Sequence, residues 1–347
     1  MRTLMRGLVL LLAVGLVGGA IVVGQSAKSS AEKMADAATA LLGQLSAEEK
    51  KAATFPFDDP HRTTWFFTPQ QDASKKPTRK GLRLELMTEK QKAAVLDLLK
   101  AGLSKKGYEQ ATTIMSLESL LAELEGKSGA MVRNQGWYFV SIFGEPGAKS
   151  KWGWRVEGHH LSINVTLDGG KVISATPVLF GSNPAEVKNG DRKGLRPLPE
   201  TEDLAKKLIA GLSDEQKKAA RQEKQLSEIK EKQPDADLGT AKGIPATKLT
   251  ADQAKSLLKL VEAYADRLPE DVAAIEMKNV ADAGTDKLHF AYFIDEDAPG
   301  KPWSYRVQGP TFAIEFLNVQ ADGAKNPANH IHSAWRTLPK DFGLGAK

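Results

Sequence analysis

Apolar and polar positions alternate with period two along two stretches of this chain, and in both stretches the alternation breaks at a glycine. In residues 152–157, Trp154 and Val156 alternate with Arg155 and Glu157, the pattern of a strand with one buried face. Beyond Gly158 the phase inverts: Leu161, Ile163 and Val165 are apolar, and Ser162, Asn164 and Thr166 are polar. An odd number of steps separates Glu157 from Ser162, so a regular strand would set them on opposite faces. The second stretch repeats the inversion, with Arg306 and Gln308 before Gly309 and Phe312, Ile314 and Phe316 after it. Each break predicts a bulge or sharp turn, at Gly158 and at Gly309.

Upstream of each stretch the period changes to that of amphipathic helices. Four helix starts carry a hydroxyl residue followed three positions later by Glu or Gln: Ser46 with Glu49, Thr88 with Gln91, Ser213 with Gln216 and Thr250 with Gln253. In such capping boxes the hydroxyl takes a free backbone N–H and the long side chain reaches back for another. The starts also pair between the halves. LSAEEKKAA at Leu45 corresponds to LSDEQKKAA at Leu212, and MTEKQKAAVLDLL at Met87 to LTADQAKSLLKLV at Leu249. Residues 137–166 lie without gaps over residues 288–317, at an offset of 151. The pattern predicts an α+β fold in which a helix-helix-strands unit occurs twice, the two copies packed as one body with antiparallel sheet. The copies span residues 25–210 and 211–347, with a linker at about 233–248 that contains Pro234 and Pro245.

The N-terminus changes the address rather than the fold. Arg2 and Arg6 precede an apolar run from Gly7 to Val23, so residues 1–24 read as a secretory signal cleaved before Gln25, or as an uncleaved anchor that would be the chain's only membrane contact. Either way the remainder is expected outside the cytoplasm, periplasmic, in the cell envelope or extracellular. The chain has no cysteine, which excludes disulfides and thiol nucleophiles. The 48 basic side chains against 43 acidic ones are too nearly balanced, and too interleaved, for a nucleic-acid partner. Gly-x-Ser-x-Gly elbows, phosphate loops and His-Glu-x-x-His helices are missing.

The stretches WGWRVEGHHLSIN, FGSNP and ANHIHSAWR followed by DFG resemble domain-of-unknown-function family 3500, over about Leu45 to Gly343. The resemblance implies no activity. This chain departs from the pattern associated with that family, in which an acidic pair often stands near the positions of Leu317 and Thr337, so no role of those acids carries over.

Candidate chemistry rests on histidine. Four of the six form two tight clusters, His159 with His160 and His330 with His332. In extended chain His330 and His332 share a face, a common way to offer two imidazoles to one metal ion. The leading expectation is therefore a divalent ion, zinc favoured, held by His159, His160, His330 and His332, with Glu157 as base for a metal-activated water in a hydrolytic reaction. A separation of the clusters below about 5 Å would favour one ion, and one beyond about 10 Å would exclude it. The same histidines also fit the role of satisfying backbone groups in turns. His61 and His289 stand apart from the clusters and are read as non-site residues. Arg155, Arg306 and Arg336 could hold an anionic substrate, although Arg155 beside Glu157 and Arg306 near Glu315 also fit structural pairing. The alternative function is a non-catalytic binding protein for a glycan or anionic ligand, with Trp152 and Trp154, at strand spacing, as a stacking platform or as core.

Overall fold

The computed structural model describes residues 28–126 and 129–344; the signal or anchor expected at residues 1–24 lies outside them. Among the described residues no helix is long and apolar enough to cross a membrane. The first half runs α1 (Ser30–Leu42), α2 (Ala47–Ala53), β1 (Thr54–Phe55), β2 (Leu82–Arg83), α3 (Glu89–Gly102), α4 (Lys105–Glu125), β3 (Phe139–Phe143), β4 (Trp152–Gly158), β5 (Leu161–Asp168), β6 (Lys171–Ser174) and β7 (Val178–Ser182). The second runs α5 (Pro199–Ala210), α6 (Asp214–Ala220), β8 (Ile244–Pro245), α7 (Ala251–Ala265), α8 (Glu270–Ala283), β9 (His289–Ile294), β10 (Trp303–Gln308), β11 (Phe312–Asn318) and β12 (Ile331–Thr337). The fold is α+β, and among the described residues each half places four α-helices, not two, around its strands. The helices α1, α4, α5 and α8 carry none of the paired capping signals and escape the sequence pattern.

All four predicted capping boxes form, at α2, α3, α6 and α7. They also dock helix on helix. Gln91 of α3 donates to Glu49 of α2 at 2.9 Å, and Gln216 and Gln253 link α6 to α7 at 2.8 Å. A further box, Ser29 with Glu32, starts α1.

The strands make one sheet in the order β1-β3-β4-β5-β7-β12-β11-β10-β9-β8, with β2 on β3 and β6 on β5. It is antiparallel except for the short β1–β3 pairing, so the expected antiparallel sheet is in fact mixed. The halves join at its middle, where β7 pairs with β12. The two phase breaks are the tips of hairpins. Glu157 is the register partner of Ser162 and Val156 of Ile163, so what reads as an inversion along one strand is two strands folded onto each other. Only His159 and His160 lie between β4 and β5, and His160 takes φ +62°, a left-handed conformation that suits so short a turn. Gly158 must be glycine because a Cβ would stand 2.4 Å from the Tyr138 ring.

One sheet face carries Trp152, Trp154, Val156, Leu161, Ile163 and Val165 into the main core beneath the helices, where the Trp154 indole N–H meets Met34 Sδ at 3.3 Å. Alternation alone implies that the polar face is wet. Instead, irregular residues 64–81 and 221–243 cover it, contributing Trp65, Phe67 and Ile229 to a second cluster with Leu179, Leu317 and Ala334. The two segments fasten to each other: Trp65 Nε1 donates to the Gln233 carbonyl at 3.0 Å, and Glu231 accepts from Phe67 N–H at 2.9 Å. The stretch expected as a linker, 233–248, thus overlaps a packed cover.

Candidate metal centre

The covered polar face brings the two histidine clusters together. His160 projects from the β4–β5 turn, with its N–H bonded to the Phe67 carbonyl at 2.9 Å and its carbonyl accepting from Gly181 at 2.7 Å. His332 lies on β12 opposite Gly181, and His330 immediately precedes that strand, anchored by its N–H to Asn318 Oδ1 at 2.9 Å. Ligand nitrogens of His160, His330 and His332 all fall within 4.8 Å of one another. The Nε2 atoms of His160 and His330 are 2.7 Å apart. Two ring nitrogens that close need a proton or a cation between them.

Burial and mutual repulsion favour the neutral form of His160 and His330, the form that binds metal. Desolvation, then the charges that its neighbours would carry, push His160 well below the ordinary imidazole range. The same causes pull His330 down to about 2. His332 Nδ1 lies 3.0 Å from Glu228 Oε1. A carboxylate only accepts, so Nδ1 carries the proton of this bond and Nε2 is the nitrogen that faces away from Glu228, the arrangement in which an outer carboxylate orients a metal-binding histidine. His159 Nδ1 faces Glu118 of α4, and its ring lies beside that of His160, tilted by 31° with ring centroids 3.7 Å apart. Burial lowers its pKa against the opposing pull of Glu118. The groups His160, His330, His332 and Glu118, His159, His160 are each arranged so that they can hold a metal ion.

The profile of the family described as "Protein of unknown function (DUF3500)" matches residues 27–344, nearly the whole chain. The chain belongs to that family. No curated protein and no solved structure matches it. Membership in DUF3500 carries no activity with it, so the chemistry rests on the geometry above.

The other expected site residues go elsewhere. Glu157 is buried, 3.4 Å from Arg79 Nε and 3.7 Å from Arg155 Nε, and accepts from Phe66 N–H at 2.9 Å. Its Oε2 pins the cover and its Oε1 faces Arg79, so the structure sets Glu157 among these arginines and outside the histidine groups, which corrects its expected role as base for a metal-bound water. Arg155 donates to Asn164 at 2.6 Å and to the Arg62 and Thr64 carbonyls at 2.6 and 3.0 Å, which ties residues 62–64 to the sheet. Arg306 pairs with its register partner Glu315 at 3.0 Å. Arg336 shares the His332 face of β12 but is fully buried, bonded to Asp341 at 2.5 Å and to the Lys230 carbonyl at 3.0 Å. All three guanidinium groups are engaged inside the protein, which corrects the expectation that they hold an anionic substrate. Trp152 and Trp154 are 1% exposed and offer no stacking platform.

Of the groups that do surround the histidines, Glu118, Glu228 and Gly181 were missed from sequence. Glu118 had a signal: it falls in the apolar stripe of α4 formed by Ala111, Ile114, Met115 and Leu121. A carboxylate in such a stripe requires a buried partner. Glu228 had none, because it sits among lysines and glutamates that read as a solvated surface.

Proposed function

We propose that the protein binds a divalent metal ion, zinc favoured, through His160, His330 and His332, and uses it for hydrolysis outside the cytoplasm. The observation that supports this best is the convergence of three imidazoles from two distant segments, two of them with nitrogens 2.7 Å apart. Three protein ligands leave a tetrahedral ion one position for water, whose pKa the metal would bring toward neutrality. Glu228, with a side chain 43% exposed, is bonded to His332 Nδ1 and would orient that ring from outside the ion's own ligands. The basic and then apolar N-terminus supports export. The recurrence of helices, capping boxes and hairpins along the chain supports descent from a duplicated unit.

Elemental analysis of freshly purified protein tests the reading, with a His330→Ala, His332→Ala double variant as control. Stoichiometric zinc in the wild type and its loss in the variant are expected, together with chelator-sensitive cleavage of ester, amide or phosphoester probes. Purified wild type that neither contains nor takes up a stoichiometric ion would end the proposal.

A further inference from the structure

We propose that the centre is built for two ions, with His160 as the bridge: one ring nitrogen joins His330 and His332, and the other joins Glu118 and His159. The inference rests on the three-histidine reading and adds a second site to it. Ligand atoms of Glu118, His159 and His160 lie within 4.8 Å of one another, and the three residues are 6%, 8% and 3% exposed. The two-residue turn makes the arrangement possible, because it sets side by side consecutive imidazoles that an extended strand would send to opposite faces.

The orientation of His160 sets its two nitrogens apart. Its Nε2 faces His330. Its Cδ2 edge lies against Gly181, so close that a Cβ there would come within 2.9 Å. The Nδ1 atom is on the opposite edge of the ring from Cδ2, and the proposed bridge assigns it to the second set. Charge favours a cation at that set. Glu118 is a buried carboxylate whose ion-pair partner, among the described residues, is His159. The nearby Arg133, 3.4 Å from His159 Nδ1, is gripped in bidentate fashion by Glu125 at 2.8 and 2.9 Å, so its charge is already matched. The second set also has its own approach, a narrow cleft lined by Pro69, Gln71, Arg79, Arg133 and Trp137 that ends on Glu118 and His159.

Filling both sites forms one metal–nitrogen bond at each nitrogen of His160 and releases its remaining N–H proton to solvent. His159 keeps its proton on the nitrogen that does not bind. Metal-free full-length protein titrated with zinc in a calorimeter, in two buffers of different ionisation enthalpy, should take up two ions, with extra proton release on the second. Glu118→Gln should bind one. Loaded with copper(II), the wild type should give less electron paramagnetic resonance intensity than two isolated ions, since a bridging ring couples their spins; this measurement needs no variant. One zinc per chain, indifferent to Glu118→Gln and with a full copper signal, would overturn the bridge and leave the three-histidine site standing. No bound ion at all would overturn both.

Discussion

Lowering the pH of the metal-free protein from 7.5 to 5.0 should remove a large part of its stability, through histidines that the fold keeps neutral. Burial, then the charges of Arg155 and Lys80, pulls His61 down to about 3. His160 is held well below the ordinary range, and His330 at about 2. In the unfolded chain each returns to about 6.5. A group whose folded pKa is lowered stays neutral while its unfolded counterpart takes up a proton. The contribution is therefore intact above about pH 6.5 and is lost as the pH falls below it. At pH 5 the unfolded chain gains about 2 kcal/mol for each fully buried imidazole. His61 and His160, at 6% and 3% exposure, supply about 2 each, and the partly exposed His330 about 1 after discounting for solvent. The total, about 5 kcal/mol, approaches the whole stability of an ordinary domain. The loss runs on down to the folded pKa values, but between pH 7.5 and 5.0 ordinary carboxylates stay ionised, so over this interval the effect belongs to histidine. Urea unfolding followed by tryptophan fluorescence at the two pH values measures it, and His61→Gln should reduce the loss by about 2 kcal/mol. Stabilities equal within about 1 kcal/mol at pH 7.5 and 5.0 would refute the reasoning.

Glu228→Gln, which keeps shape but weakens the charge-assisted bond to His332 Nδ1, should lower zinc affinity about 10- to 100-fold in a competition titration with little change in unfolding midpoint. Asp341→Asn strips the fully buried Arg336 of its counter-ion and should cost about 3–5 kcal/mol in urea unfolding. Its zinc stoichiometry should be unchanged, because Arg336 holds the cover and not the site. Gly181→Ala would set a Cβ 2.7 Å from the Ile331 carbonyl and 2.9 Å from His160 Cδ2. It should cost about 1–3 kcal/mol and displace His160, weakening zinc binding by at least about tenfold; native affinity in this variant would remove Gly181 from the account.

What the sequence made legible is local. Capping boxes depend on residues three apart, and hairpin tips on a parity change within a few residues, so α2, α3, α6, α7 and both turns follow from short windows. The cover was illegible because its segments bind through backbone groups. Trp65 and Lys232 meet carbonyl to N–H, and Arg155 and Arg336 hold main-chain carbonyls. Nothing in a side-chain pattern marks such contacts. For the same reason Arg155 and Glu157 read as polar residues awaiting a ligand, when their ligand is the covering chain itself.

The position of the site follows from the seam. Gly181 and His332 are register partners across β7 and β12, and they are also 151 residues apart, the offset at which residues 137–166 lie over 288–317. On the proposed duplication they are therefore equivalent positions, and a two-fold axis relating the copies would pass between them. Residues that meet their own equivalent across an axis compete for the same space on one face of the sheet. Two histidines there would leave no room for a third ring. Glycine in the first copy frees the volume that the Cδ2 edge of His160 occupies, while the second copy keeps the imidazole of His332. His159 and His160 in turn stand where the second copy has Pro310 and Thr311, so the ring that fills the freed space comes from one side only. A fold that repeats can thus hold one asymmetric centre, and the glycine of FGSNP, which looks like an ordinary strand residue, is the position on which the asymmetry turns.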